Sequence, residues 1–197
     1  MNKPPKNILL LGVGNYLMGD EGVGVHIAQR WQQETLQRPD SGHIDVLDGG
    51  TGGFHLLEYF ERYDTVILVD ATLNDRQPGT FRLIRPRFAS DFPAALSTHD
   101  IGLKDMIGAL QLLGKMPDIY LFAVSIDSIQ QQGIELTPAV AAAIPFLMNE
   151  IRSLADAALA GSPVRTLTQP PPLLIPSGSF PETCFQTIAR RDSEVLP

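Results

Sequence analysis

Asn7-Ile-Leu-Leu-Leu-Gly-Val13 is a short continuous apolar run, the signature of a strand buried on both faces. A helical pattern follows over about 22–36, with Val23, Ile27 and Trp31 at four-residue spacing. The patterning predicts further strands at Ile44–Leu47, at Thr65–Val69 ending in Asp70, and at Ile119–Ile126. Gly79–Ile84 alternates and predicts a more exposed strand at a sheet edge. Helices are expected at Phe54–Phe60 and at about 101–113, where Leu103, Ile107 and Leu110 share a face. A last helix opens at Thr137-Pro138, an N-cap residue followed by a first-turn proline. It carries the stripe Val140, Ile144, Leu147, Ile151 and Leu154, and Pro145 should kink or split it. Strands alternating with helices predict an α/β fold with a mostly parallel sheet and helices on both faces.

The 197 residues favour a single domain, placed at residues 1–160. From Gly161 the character changes: the last 37 residues hold seven prolines and no periodicity, which predicts an extended or disordered tail over 161–197. Fifteen Lys and Arg against 22 Asp and Glu leave a net charge of −7, and no Lys/Arg run exceeds two. No nucleic-acid partner is therefore expected. Cys184 is the one cysteine, so neither a disulfide framework nor a Cys-rich zinc site is available. Its place in the Pro-rich tail makes it a poor nucleophile candidate. Lys3 and Lys6 precede the apolar run, but that run is short and lacks a cleavage site of small residues. No stretch approaches the roughly 18 apolar residues of a membrane span. The expectation is a cytoplasmic protein with no membrane partner.

Ligands of open parallel sheets bind beyond the carboxyl ends of the strands. Three polar residues are expected there: Glu21 after the first strand, Asp70 at the end of the third, and His99 just before the helix at 101. Two carboxylates and an imidazole could then share one crevice. Each has a plainer explanation. Asp20 and Glu21 could serve a helix start, Asp70 could bond turn amides, and His99 could be a loop histidine. A helix N-terminus disfavours imidazolium, which would keep His99 neutral, as a metal ligand must be. His26 and His55 fall in helical segments and His43 in a polar loop, and all three are weaker candidates. Gly12-Val13-Gly14 begins a dinucleotide fingerprint, but Leu17 stands where its third glycine belongs. Asp20 and Glu21 put negative charge where a pyrophosphate would sit, although Asp48 could meet a ribose. No zinc-protease, nucleophile-elbow or P-loop motif is present.

Four blocks resemble the [NiFe]-hydrogenase maturation endopeptidases: Gly12-Val-Gly-Asn-Tyr-Leu-Met-Gly-Asp-Glu-Gly-Val-Gly24, Asp48-Gly-Gly-Thr51, Val69-Asp70-Ala71 and Thr98-His99-Asp100-Ile-Gly102. They follow the family's order over roughly residues 7–155. The resemblance implies a three-layer α/β/α fold with a five-stranded twisted sheet. It implies nickel ligands at Glu21, Asp70 and His99, the residues that strand-end placement also selects. It further implies removal of a C-terminal peptide from the hydrogenase large-subunit precursor once nickel is inserted. Nickel is then recognised on the substrate rather than held permanently, and three protein ligands leave positions for the precursor's own groups. Asp20 and Asp48 are candidates for proton transfer or for supporting the ligands. The family is grouped with aspartic-type peptidases, yet no paired-Asp signature is visible. The tail after Gly161 and the stretch Ser125-Ile-Asp-Ser-Ile-Gln130 depart from the family pattern. The latter is a candidate for choosing the partner hydrogenase.

Overall fold

The computed structural model describes residues 7–37, 44–92, 101–128 and 132–162. His43, His99, Cys184 and all of the tail beyond Ser162 lie outside these described residues.

Five strands form one sheet: β1 (Ile8–Gly12), β2 (Asp45–Asp48), β3 (Thr65–Leu73), β4 (Phe81–Ile84) and β5 (Asp118–Ile126), in the order β2-β1-β3-β5-β4. All neighbours run parallel except β4, which is antiparallel to β5 at the sheet edge, where the alternating pattern of Gly79–Ile84 placed it. The helices are α1 (Val23–Gln37), α2 (Leu57–Arg62), α3 (Ile101–Leu113) and α4 (Pro138–Leu159).

Strand side chains alternate between faces, so each central strand feeds two cores. Ile8, Leu10, Ile67, Val69, Phe122 and Val124 pack with Val23, Ile27 and Trp31 of α1 and with the Val140–Ala158 face of α4. Leu9, Leu11, Val66, Leu68 and Leu121 pack on the opposite side with Phe60 of α2 and with Met106, Ile107 and Leu110 of α3. This is the three-layer architecture that the alternation of elements predicts.

Two expectations change. β3 does not stop before Asp70 but continues to Leu73, because the nine-residue β5 pairs with it as far as Leu73 opposite Ile126. α4 is neither split nor interrupted at Pro145. Pro145 and Ala141, whose carbonyl loses its partner to the proline, both lie on the exposed face, where water can bond that carbonyl.

The chain leaves β1 on one side to build β2 and returns to place β3 on the other side. The carboxyl ends of β1 and β3 therefore form the switch point at which such sheets bind ligands.

Candidate functional site

The last bond between β1 and β3 runs from Val13 N to Val69 O at 3.0 Å, and Asp70 is the next residue on β3. The segment from Gly14 to Gly22 folds back over this edge. A Cβ at Gly14, whose φ is +137°, would sit 2.0 Å from the carbonyl oxygen of Glu21, so the loop can close this tightly only with glycine there. A Cβ at Gly24 would meet Val13 O and Val69 O at 2.3 Å each, so the start of α1 lies directly on the strand ends. The Gly19–Gly22 turn packs against β3 and brings its acids to the switch point. Asp20, Glu21 and Asp70 are all buried.

Their surroundings differ. Asp20 accepts hydrogen bonds from Thr137 N at 2.7 Å through Oδ1 and from Thr137 Oγ1 at 2.8 Å through Oδ2. It anchors the N-cap of α4, where the Thr137 hydroxyl also accepts from Val140 N. Asp70 Oδ1 accepts from Ala71 N at 2.7 Å, while its Oδ2 and Glu21 Oε2 are sealed from solvent. Asp48 is exposed: Oδ1 accepts from Gly50 N at 2.9 Å and Oδ2 from Gln29 Nε2 at 3.3 Å. Its loop is tied to the β1 end by Gly49 N to Gly12 O at 2.8 Å and by Gly14 N to Gly50 O at 2.7 Å. Glu21 and Asp70 thus meet at one edge, with Asp48 on the neighbouring loop. His99 lies outside the described residues, and among those residues no three His, Cys, Asp or Glu side chains group as a metal site.

A second set of contacts was not foreseeable from motifs. Gly19 N donates to Gly133 O at 2.7 Å and Gly133 N to Leu17 O at 2.9 Å, so the approach to α4 runs beside the acidic loop. His26 adds to this join through a hydrogen bond with the Ile134 backbone, and its ring lies 4.8 Å from that of Tyr16. Burial lowers the His26 pKa below its ordinary 6.5, against smaller upward effects of the Ile134 bond and the Asp20 charge. Beside these rings a groove of about 570 Å³ extends between α1 and α4 toward Glu34 and Ile144. Thr137 was legible as a helix cap, but nothing in its sequence neighbourhood announced a bond to a residue 117 positions away.

Known proteins give this arrangement a family. Residues 25–154 match the model of the hydrogenase maturation protease family. The chain is 34% identical to the hydrogenase 2 maturation protease of Escherichia coli (strain K12), over 79% of this chain and 95% of that protein. It is 36% identical to the hydrogenase expression/formation protein HupD of Rhodobacter capsulatus, over 74% of this chain and 70% of that one. The solved structure of the hydrogenase maturating endopeptidase HybD from Escherichia coli superposes with a TM-score of 0.66 at 35% identity, covering 79% of this chain and 94% of that chain. With the sheet order, the glycine-folded acidic loop and these likenesses together, the chain belongs to the hydrogenase maturation protease family.

Proposed function

We propose that this protein removes the C-terminal peptide from a nickel-loaded [NiFe]-hydrogenase large-subunit precursor and works in the cytoplasm. The observation that carries this reading is the burial of Glu21 and Asp70 together at the switch point of a chain from this family. Nickel is part of the substrate here. Carboxylate and imidazole donors suit it, so Glu21, Asp70 and His99 would read the metal that the precursor brings. A partial ligand set of this kind makes recognition depend on prior metal loading, because the remaining positions are filled by the precursor itself.

Among the acids, Asp48 is the better candidate for proton transfer and for an aspartic-type assignment. It is exposed beside the crevice, and its Oδ2 is held only by a 3.3 Å bond from Gln29. Both oxygens of Asp20 are engaged by Thr137, which suits a positioning task. The nucleotide-binding alternative fares worse, because the buried Asp20 and Glu21 occupy the helix start that a pyrophosphate would need.

Incubating the purified protein with nickel-loaded and nickel-free precursor, and reading the C-terminal mass, tests the proposal. Cleavage of the loaded form alone is expected. Cleavage of neither form defeats it. Asp48→Asn should leave the circular dichroism spectrum unchanged and lower the cleavage rate by about a hundredfold or more, the usual size of a general acid–base contribution.

A further inference from the structure

The α2/α3 face of the sheet carries polar groups that the reading above does not use. Residues opposite one another in a sheet share a face. Asp70 pairs with Ala123 and Ala123 with Arg82, so these three form one row across β3, β5 and β4. In the next row Thr72 stands opposite Ser125. Ala123 packs in the α2/α3 core, and so does Ile84, two residues after Arg82, which fixes the face. With strand spacings of about 4.8 Å, Arg82 starts roughly 10 Å from Asp70, with the methyl group of Ala123 between them.

Two donors in these rows have no acceptor. Ser125 is 0% exposed and its Oγ makes no hydrogen bond. Its backbone is already paired on the β4 side, N to Thr80 O at 2.8 Å and O from Gly79 N at 2.9 Å. Arg82 Nε is also buried without a hydrogen-bond partner. Just past β3, Asn74 Nδ2 is in the same condition, although Asn74 Oδ1 accepts from Arg76 N at 2.9 Å. Leaving a buried donor unmet is unfavourable, and alanine would fill the place of Ser125 without that penalty. Unmet groups that persist near the carboxyl ends of the strands, where such sheets bind ligands, are expected where a ligand completes them.

The missing partner is an acceptor, and the cation among the donors selects an anionic one. A guanidinium flanked by a hydroxyl matches a carboxylate. The segment Phe81–Arg87 supplies three arginines in a chain of net charge −7, and Arg85 is already paired with Asp118 at 2.6 Å. We infer that Arg82 and Ser125 form a subsite for a carboxylate of the precursor's C-terminal segment, two strands along the sheet from Asp70. The inference rests on the peptidase reading and deepens it by naming a feature of the substrate. The carboxylate belongs either to an acidic side chain or to the chain terminus. Arg82 and Ser125 act as specificity-determining residues, not as catalytic ones.

Two measurements test the subsite without relying on turnover. First, Ser125→Ala should raise the Tm of the ligand-free protein by about 2–4 °C, because it removes an unmet buried hydroxyl. A hydroxyl with a purely structural role would give a fall in Tm, and a fall overturns the inference. Second, calorimetry should follow binding of a synthetic peptide copying the precursor's C-terminal segment. It is compared with the same peptide amidated at its terminus and with a version carrying Asn and Gln for Asp and Glu. Arg82→Met should weaken binding of the unmodified peptide at least tenfold, and Arg82→Lys should restore part of it. Whichever modified peptide loses affinity for the native protein identifies the source of the carboxylate. Equal binding of all peptides, or unchanged binding by Arg82→Met, overturns the subsite even if the native protein cleaves the precursor. Failure of that cleavage, by contrast, defeats the peptidase reading itself.

Discussion

On the α1/α4 face, the loop acid Asp20 and the helix residue Glu34 are each matched, although His26 Nε2 is buried there without a hydrogen-bond partner. Asp20 holds Thr137 with both oxygens, and Arg152 pairs with Glu34 while its guanidinium lies 5.3 Å from the centre of the Trp31 ring. On the α2/α3 face, Arg82 Nε and Ser125 Oγ are buried without an acceptor. The hydrophobic layers are comparable: each face packs a continuous set of strand residues under two helices. The difference lies in what the polar groups are for. Matched groups fix the acidic loop against α4, whereas unmet donors weaken the free protein and favour a bound state.

The largest contrast should come from one substitution made on both sides. A Cβ at Gly24 in α1 would lie 2.3 Å from two backbone carbonyls, neither of which can move without breaking the sheet edge. Gly24→Ala should therefore destabilise by about 3 kcal/mol, at the upper end for overpacking. Gly108 lies within α3, and a Cβ there meets nothing within 4 Å. Gly108→Ala should stabilise by about 0.5–1 kcal/mol, through the smaller backbone entropy lost on folding. Urea midpoints at unchanged slope measure both. Shifts in the same direction would remove the contrast between the two faces.

A smaller effect separates anchoring from chemistry on the α1/α4 side. Asp20→Ala strips Thr137 N and Oγ1 of their acceptor in a buried place and should cost about 2–3 kcal/mol. Asp20→Asn keeps an oxygen for Thr137 N, so it should lose less stability and retain most of the cleavage rate. Loss of turnover in a folded Asp20→Asn protein would return Asp20 to the list of catalytic acids.

How much of this was legible before the structure depends on the range of the interaction. The strands and their order of burial follow from short-range periodicity, as Ile8–Gly12 and Asp118–Ile126 demonstrate. Glu21 and Asp70 were legible because strand ends attract ligands whatever the side chains are. The three extra residues of β3 were not, since they depend on the length of a partner strand 53 positions later in the chain. Asp20 shows the same limit. Its position before α1 suggested a local cap, but Thr137, brought alongside by the fold, offers two donors at once. The Arg82–Ala123–Asp70 row is invisible in sequence because it exists only through the register of three strands.

The smallest expected effect concerns His26, where the α1/α4 join is sensitive to pH. Burial lowers its pKa in the folded state, while the Ile134 hydrogen bond and the Asp20 charge oppose the shift. Well above pH 6.5 the ring is neutral in both folded and unfolded chains and contributes no pH dependence. As the pH falls through 6.5 the unfolded chain takes up a proton that the folded ring resists, so stability declines. The decline ends once the pH is below the folded-state pKa. His26→Gln should abolish this component, and subtracting its Tm curve from that of the native protein cancels the other titrating groups. The two curves should run parallel above about pH 7.5 and diverge between pH 6.5 and 5, with the native protein losing more. Asp20→Asn should enlarge the loss, because it removes a charge that favours the protonated ring. A difference that stays constant from pH 8 to 5 would mean that the ring titrates normally, and the join would then be no more pH-sensitive than the opposite face.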